Sequence, residues 1–220
     1  QLVEIGYQGK KLEELEGLSA TEKANMLFIV QDPYTSYYDA KVVRDFVALA
    51  QKLGFEPILL PFKPNGKAMH IKGFLTRFSK TAKTQAEFLN RVSKLNVPLV
   101  GVDPAIVLSY RDEYKEALGD SRGDFHVLTA HEWLTNQLDC NTLQSAVKNI
   151  AKSDCTFEWH LFPHCTESTF MPNSPKEWQH IFAQFGQTLN VEKVGCCGMA
   201  GVFGHEVQNQ TMSKDIYDVS

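Results

Sequence analysis

The chain has 220 residues, of which 43% are hydrophobic and 22% charged, and its formal net charge is −4. This composition is typical of a globular protein with its own core, and it excludes the disordered and collagen-like classes. The chain is slightly acidic and lacks a dense basic cluster that could neutralise phosphates, so we expect no nucleic-acid partner. It also lacks an apolar run of about 18 residues, the length needed to span a bilayer, so we expect no transmembrane segment.

Residues 1–25 lack a sustained apolar period, so we interpret them as an N-terminal arm or a short helix that leads into the domain. The apolar run 26–30 indicates a buried strand, and Pro33 ends it in a loop. Apolar residues at helical spacing over 42–53 predict a helix, and 55–60 is typical of a second strand. A strand, a helix and a strand with short joints form a βαβ unit, whose two strands run parallel.

The middle of the chain continues the alternation of helices and strands. The pattern predicts a long, mostly helical stretch over 71–95, a strand at 97–102, a helix over 105–118, a short strand at 125–128, a helix over 130–138 and a linking helix over 141–152.

A second βαβ unit follows, with a strand at 156–162, a loop from Pro163, a helix from Ser174 and a strand at 191–195. Ser174 is predicted to be the N-cap of its helix, and Glu177 would complete a capping box. The fold class is therefore α/β, with two pseudo-repeated βαβ-based halves whose parallel sheets are flanked by helices.

The two βαβ units superpose when Cys165 is aligned with Pro33. The same alignment, without a gap, places Cys196 and Cys197 over Pro64 and Asn65. The spacing between the matched positions is therefore identical in the two copies. We interpret the match as an internal duplication, with a first repeat over 26–140 and a second over 141–220.

Thiols are confined to the second repeat at the matched positions. Because parallel strands of a βαβ unit end at one edge of the sheet, Cys165 is predicted to lie beside Cys196 and Cys197. Glycines that let the backbone turn around a bound group accompany the thiols: Gly195, Gly198, Gly201 and Gly204. Soft metals prefer thiolate ligands, so these three cysteines are the candidate metal ligands.

Other polar residues near the thiols carry weaker signals. His164 and His205 flank the cysteines and are candidates for ligation or proton transfer, or for ordinary surface hydrogen bonding. Glu167 and Glu206 show no functional pattern. The three glycines from 198 to 204 are spaced differently from a dinucleotide-binding fingerprint, and no hydrolase or P-loop motif is present.

The cysteine count indicates a reducing compartment. Five cysteines, an odd number with one adjacent pair, do not fit a paired extracellular disulfide framework. Cys140 and Cys155 lack glycine neighbours and are interpreted as small buried hydrophobes. We expect a cytoplasmic location that is compatible with a peripheral position at the inner face of a membrane. The sequence begins at Gln1, so its natural start is expected to lie upstream.

Two strings carry a resemblance to the cysteine-rich CCG domain: Pro-His-Cys165-Thr-Glu and, further along the chain, Cys196-Cys197-Gly198-Met-Ala-Gly201-Val-Phe-Gly204. This family includes the cysteine-rich subunit of heterodisulfide reductase and the iron–sulfur subunit of glycolate oxidase. It also includes the C-terminal part of large FAD-linked D-lactate or D-2-hydroxyglutarate dehydrogenases, which the first repeat resembles most. The resemblance covers about residues 26–218.

The resemblance implies an iron–sulfur region that passes electrons from flavin towards an acceptor such as a quinone. It implies a [4Fe–4S] cluster on Cys165, Cys196 and Cys197. The residues expected to contact the cofactor are Gly198, Gly201, Gly204 and His205. FAD and ferredoxin-like domains are expected upstream in the same polypeptide, and no catalytic acid or base of the flavin step is expected in this chain.

Two departures from the family pattern limit what this chain is expected to bind. The first repeat has Pro33, Pro64, Asn65 and Ile106 at the family's cysteine positions, so no cluster is expected there. The last ligand segment of the second repeat would fall beyond Ser220. The chain is therefore expected to be a fragment that is inactive alone and binds a metal weakly or not at all.

Two other interpretations remain open. Three thiols and a histidine suit tetrahedral zinc equally well, so the chain would be a zinc-binding or metal-free docking module for a flavoprotein. Alternatively, the adjacent pair Cys196 and Cys197 would perform thiol chemistry directly, which requires a low thiolate pKa.

Overall fold

The chain folds into two parallel sheets, of four and two strands, that are flanked by helices. The structure is a computed structural model that describes residues 11–139, 143–150 and 157–219. The strands are β1 (Met26–Val30), β2 (Glu56–Leu59), β3 (Leu99–Gly101), β4 (Val127–Thr129), β5 (Glu158–Leu161) and β6 (Thr188–Val191). The helices are α1 (Leu12–Glu16), α2 (Ala20–Lys23), α3 (Pro33–Tyr37), α4 (Ala40–Lys52), α5 (Lys67–Ile71), α6 (Leu75–Ser93), α7 (Pro104–Arg111), α8 (Glu113–Leu118), α9 (Ala130–Asp139), α10 (Gln144–Ile150), α11 (Cys165–Phe170), α12 (Ser174–Gln184) and α13 (Gln210–Asp218). The predicted α/β class is confirmed.

The larger sheet has the strand order β2-β1-β3-β4, and all its neighbouring strands are parallel. All five side chains of β1 are buried, because helices cover both faces of this sheet. Phe28 belongs to a core cluster with Phe78 of α6 and Tyr114 of α8, while Leu27 belongs to a second cluster with Trp133 of α9. Within the described ranges, no helix is long and apolar enough to cross a bilayer.

The smaller sheet pairs β5 and β6 in parallel. Its helix α12 packs against α9, and Ile181 of α12 is buried in the second core cluster. The second βαβ unit is therefore attached to the first through helices, and the two sheets stay separate.

The two βαβ units share their strand register. Met26 lies opposite Glu56 in the first unit, and Glu158 lies opposite Thr188 in the second. The alignment that places Cys165 over Pro33 also places Glu158 over Met26 and Thr188 over Glu56, so the two strand pairs match. The shared register supports the duplication, which we retain as a proposal.

The part of the N-terminal arm that the structure describes belongs to the core. Residues 11–25 form α1 and α2, and Leu12 and Leu15 are buried against the first sheet cluster. These two short helices agree with the short-helix alternative for this segment, and two leucines one helical turn apart give α1 a buried face. Residues 1–10 lie outside the described residues, as do Cys140 and Cys155.

The loops predicted from Pro33 and Pro163 contain the short helices α3 and α11. Asp32 accepts a hydrogen bond from the Thr35 backbone N–H at 2.9 Å, and Pro33 occupies the first helical position. A proline there fits the helix because the first helical N–H has no intrahelical partner. A proline that ends a strand therefore also begins a helix.

Three other boundaries differ from those predicted. The N-cap of α12 is Asn173, and the hydroxyl of Ser174 is buried without a partner among the described residues, so the predicted capping box is wrong. The last strand is Thr188–Val191 and not 191–195: the Glu192 N–H still donates to the Leu161 carbonyl oxygen at 2.9 Å, and residues 193–195 follow outside the strand. The helix predicted over 71–95 is α6, which begins only at Leu75 because α5 ends at Ile71 and the chain turns at Gly73, whose φ is +76°.

Candidate functional site

The three candidate ligands lie after the carboxyl ends of two neighbouring parallel strands. Cys165 is the first residue of α11 and follows β5, while Cys196 and Cys197 follow β6. All three side chains are exposed. Because β5 and β6 run in the same direction, both loops leave the sheet at one edge.

Cys165 lines two cavities, each of which also contains one of the other thiols. One cavity, of about 300 Å³, is lined by Cys165 and Cys196. The other, of about 580 Å³, is lined by Cys165 and Cys197 and is named the thiol cavity below. The structure thus places the thiols along one rim, with Cys165 common to both cavities.

The donor chemistry of this rim suits an iron–sulfur cluster, whereas its arrangement is not that of a closed metal site. Thiols are the donors that such clusters require. Among the residues that the structure describes, no group of three or more histidines, cysteines or acidic residues is placed to hold a metal ion. Assignment of the cysteines as ligands therefore remains a prediction.

Close packing explains the glycine after the cysteine pair. The backbone N–H of Gly198 donates to the Cys196 Sγ, with 3.4 Å between N and S. Gly198 has a φ of +75°, and a Cβ at this position would lie 2.1 Å from the backbone oxygen of Ser213 in α13. The Ser213 hydroxyl also donates to the Gly198 carbonyl oxygen at 2.9 Å. The cysteine loop is thus held directly against α13.

The following glycines bring the same loop against the first repeat. A Cβ on Gly201 would lie 2.3 Å from Cδ1 of Ile71, and the Tyr34 hydroxyl donates to the Gly201 carbonyl oxygen at 3.0 Å. The ring of His205 lies 6.0 Å from the ring of Tyr34, and a Cβ on Gly204 would lie 2.6 Å from a side-chain oxygen of α13. These contacts give the glycines a packing role, and cofactor contact by them and by His205 remains a prediction.

The other flanking residues have ordinary surroundings. His164 is exposed and lines the thiol cavity. Glu206 forms an ion pair with Lys72, which joins the cysteine loop to the segment after α5. Glu206 therefore has a structural role that the sequence did not reveal.

A buried histidine joins the cysteine-bearing helix to the first repeat. His131 of α9 is 1% exposed, and its Nδ1 lies 3.3 Å from Oε1 of Glu167 in α11. Its Nε2 lies 3.2 Å from Oε2 of Glu177 in α12. Trp178 donates to the same Glu167 oxygen at 3.2 Å. This network fixes α11 from two sides, and no sequence motif links its members.

An ion pair between Arg111 of α7 and Glu132 of α9 lies beside this network, at strand β4 of the larger sheet. Arg111 donates to both carboxylate oxygens of Glu132, at 2.9 and 2.5 Å, and to the backbone oxygen of Val127 at 2.7 Å. The backbone N–H of Thr129 donates to Glu132 at 2.8 Å. Burial alone would raise the pKa of Glu132, but the hydrogen bonds from Arg111 and Thr129 hold this pKa below its usual value.

A third cavity, of about 650 Å³, lies between the first repeat and the cysteine loop and adjoins the thiol cavity. Its walls include the four positions at which the resemblance places cysteines: Pro33, Pro64, Asn65 and Ile106. We call it the first-repeat cavity. It shares Tyr34, Gly201 and His205, among others, with the thiol cavity.

Comparison with known proteins shows that the chain is similar to parts of several dehydrogenases. The chain is 80% identical over 220 residues to the D-2-hydroxyglutarate dehydrogenase of Haemophilus influenzae, covering all of this chain and 21% of that protein. It is 56% identical over 209 residues to the Escherichia coli protein of the same name, covering 95% of this chain and 20% of that protein. It is also 26% identical over 194 residues to a subunit of the anaerobic glycerol-3-phosphate dehydrogenase of E. coli, covering 83% of this chain and 46% of that subunit.

The chain spans about a fifth of the length of the dehydrogenases that it matches, at their C-terminal end. No family model matches the chain, and no solved structure matches it.

Proposed function

We propose that this chain is the electron-transfer region of an oxidoreductase. The proposal is supported by its match to the C-terminal fifth of D-2-hydroxyglutarate dehydrogenases. In this proposal Cys165, Cys196 and Cys197 hold an iron–sulfur cluster of the [4Fe–4S] type. The full-length protein would oxidise D-2-hydroxyglutarate or a related D-2-hydroxy acid with FAD, bound by its other domains.

One observation carries the proposal. Cys165 borders both the cavity of Cys196 and the cavity of Cys197, at the edge where β5 and β6 end. Three exposed thiols on two loops from neighbouring parallel strands are a soft donor set of the kind that iron–sulfur clusters use. Cytosolic conditions keep cysteine thiols reduced, as cluster ligation requires, and we propose that location.

The chain's own residues contribute by holding the thiols in place. A cluster bound at this rim would supply one-electron transfer. The Gly198 N–H donates to the Cys196 Sγ, and such a donor stabilises the thiolate form of the ligand. The contacts of His131 and Trp178 with Glu167 fix the helix that begins at Cys165.

The proposal is tested by cysteine substitution in the full-length protein, purified without oxygen. Each of Cys165→Ser, Cys196→Ser and Cys197→Ser is expected to lower the iron and acid-labile sulfide content by about four atoms of each per chain, the content of one such cluster. Cys140→Ser and Cys155→Ser make the same chemical change and are the matched controls, so they are expected to leave both contents unchanged.

Two results would contradict the proposal. Iron and sulfide contents that stay at the wild-type level in all three variants would exclude these thiols as cluster ligands. Zinc that is lost on Cys165→Ser, with no change in iron, would instead support the zinc-binding docking module.

A further inference from the structure

We propose that an apolar stripe on helix α13 is the surface on which the preceding part of the same polypeptide docks. The stripe consists of Met212, Ile216 and Val219, and we call it the α13 stripe. The proposal goes beyond the electron-transfer function above and does not depend on it. It uses only the match of this chain to the C-terminal fifth of larger dehydrogenases.

The α13 stripe is apolar along one side of its helix and is largely exposed. Its residues are spaced at i, i+4 and i+7, so they lie on one helical face. Met212 is 60% exposed and Val219 is 86% exposed, whereas Ile216 is half-buried. Large apolar side chains that line up on one face are favourable to bury, so this face is typical of a packing surface.

The first repeat provides a reference for this helix. The alignment of the two repeats places α13 over residues 78–86, which belong to α6. A Cβ on Gly198 would meet Ser213 of α13. In the first repeat the aligned Gly66 has Thr81, the residue aligned with Ser213, 3.4 Å from the position of its Cβ. The two helices therefore have equivalent places beside equivalent turns.

The two helices differ in the side that is apolar. Phe78 and Ala82 are buried on α6, whereas the aligned residues of α13 are polar and exposed: Gln210 and Lys214. The residues of α6 that align with the stripe are also polar and exposed: Lys80, Thr84 and Glu87. The apolar side of α13 is thus turned away from the side that α6 buries, and it suits a contact that the first repeat does not make.

This comparison indicates which part of the protein covers the stripe. The first repeat continues after α6 with α7, α8 and β4, and none of these described elements covers the aligned face of α6, which stays exposed. A continuation of the second repeat built in the same way would leave the stripe exposed as well. The chain matches the C-terminal fifth of much longer proteins, so most of such a protein precedes it. That part is large enough to supply a complementary apolar surface and is the occupant of the stripe.

Docking on the stripe would bring the preceding part close to the thiols. Ile216 is one helical turn from Ser213, whose hydroxyl donates to the Gly198 carbonyl oxygen at 2.9 Å. A domain on the stripe would therefore lie within about 10 Å, one helix diameter, of the loop that carries Cys196 and Cys197. The contact would fix the distance between this loop and the rest of the enzyme.

The test compares the accessibility of the stripe with that of the aligned face of α6 in the full-length protein. Met212→Cys and Lys80→Cys are made separately and treated with N-ethylmaleimide, and the modified peptides are quantified by mass spectrometry. Each peptide is resolved, so reaction of the native thiols does not interfere. Modification of Met212→Cys is expected to be about tenfold slower than that of Lys80→Cys or slower still, because it requires the interface to open.

A charge on the stripe should release the contact. Val219→Cys is combined with Met212→Glu in the full-length protein, and Lys80→Glu is the matched control at the aligned position of α6. Met212→Glu is expected to speed the modification of Val219→Cys by about tenfold, because a carboxylate buried at an interface without a partner is unfavourable. Lys80→Glu is expected to leave the rate unchanged.

Three results would overturn the proposal. The first is an equal rate of modification for Met212→Cys and Lys80→Cys, whether fast or slow. The second is protection of Met212→Cys that is lost on dilution, which would assign the stripe to a second copy of the protein. The third is protection that requires added phosphatidylglycerol vesicles, which would assign it to a membrane. None of these measurements depends on iron content, so failure of the cluster assignment is recognised separately, by Cys196→Ser.

Discussion

The glycine after the cysteine pair should be far less replaceable than another glycine of the same backbone conformation. Gly198 and Gly186 have similar φ angles, +75° and +69°. A Cβ on Gly186 would have no heavy atom within 4 Å, whereas a Cβ on Gly198 would lie 2.1 Å from the backbone oxygen of Ser213 and 2.9 Å from its backbone carbon. Gly186→Ala therefore isolates the conformational cost, and Gly198→Ala adds a steric clash with backbone.

The magnitudes follow from these two contributions. An alanine at positive φ costs about 1–2 kcal/mol, which is the whole effect expected for Gly186→Ala. Overpacking against a backbone that must shift adds about 1–3 kcal/mol, so Gly198→Ala is expected to cost about 2–5 kcal/mol. The loop would also lose the hydrogen bond from the Ser213 hydroxyl if α13 moved away.

Urea denaturation of the 220-residue chain, followed by circular dichroism, measures both free energies of unfolding. Thermal unfolding gives a second measure, because 1 kcal/mol corresponds to about 2–4 °C in a protein of this size. Equal destabilisation by Gly198→Ala and Gly186→Ala would refute the argument, since it would mean that the loop does not pack against α13.

Two further predictions concern contacts between elements. In Gly201→Ala the new Cβ would contact only the end of the Ile71 side chain, so Ile71→Val, which removes Cδ1, should relieve the strain. A double-mutant cycle on the free energies of unfolding should give a coupling energy of about 1 kcal/mol between the two substitutions. Additive effects would contradict the contact. Glu132→Gln should cost about 2 kcal/mol at neutral pH. Because the pKa of Glu132 is lower in the folded state than in the unfolded chain, its carboxylate stabilises the fold above the unfolded-state pKa, and this stabilisation is lost as the pH falls through the folded-state pKa. Urea unfolding at pH 7 and near pH 3 should therefore show a smaller cost of Glu132→Gln in acid. A cost that is independent of pH would argue against the ion pair with Arg111.

The sequence predicted the elements whose pattern is set by burial on a sheet. Five consecutive apolar residues in β1 indicate a strand whose side chains are buried on both faces of the sheet. In the structure β1 is an interior strand of the larger sheet, between β2 and β3. The edge at which Cys165, Cys196 and Cys197 lie was also predictable, because parallel strands of a βαβ unit end at the same edge.

Short helices and long-range contacts were beyond the reach of sequence patterns. Helices α3 and α11 have five and six residues, too few for a helical period to be recognised. The contacts of His131 with Glu167 and Glu177 join three elements that are distant in sequence. Their burial follows from the packing of α12 on α9, which no local pattern determines.

The proposed duplication allows the requirements of the backbone to be separated from those of a metal. Gly66, the counterpart of Gly198, also has a positive φ, +81°, and a Cβ there would lie 2.9 Å from the ring of Phe78. The first repeat thus keeps this glycine although it has proline and asparagine at the positions of the thiols. A glycine at this turn is therefore required by packing in both repeats and is not evidence of a cluster. At positions 165, 196 and 197 the second segment has thiols where the aligned first segment has Pro33, Pro64 and Asn65, so substitution of the cysteines decides between a redox centre and a packed loop.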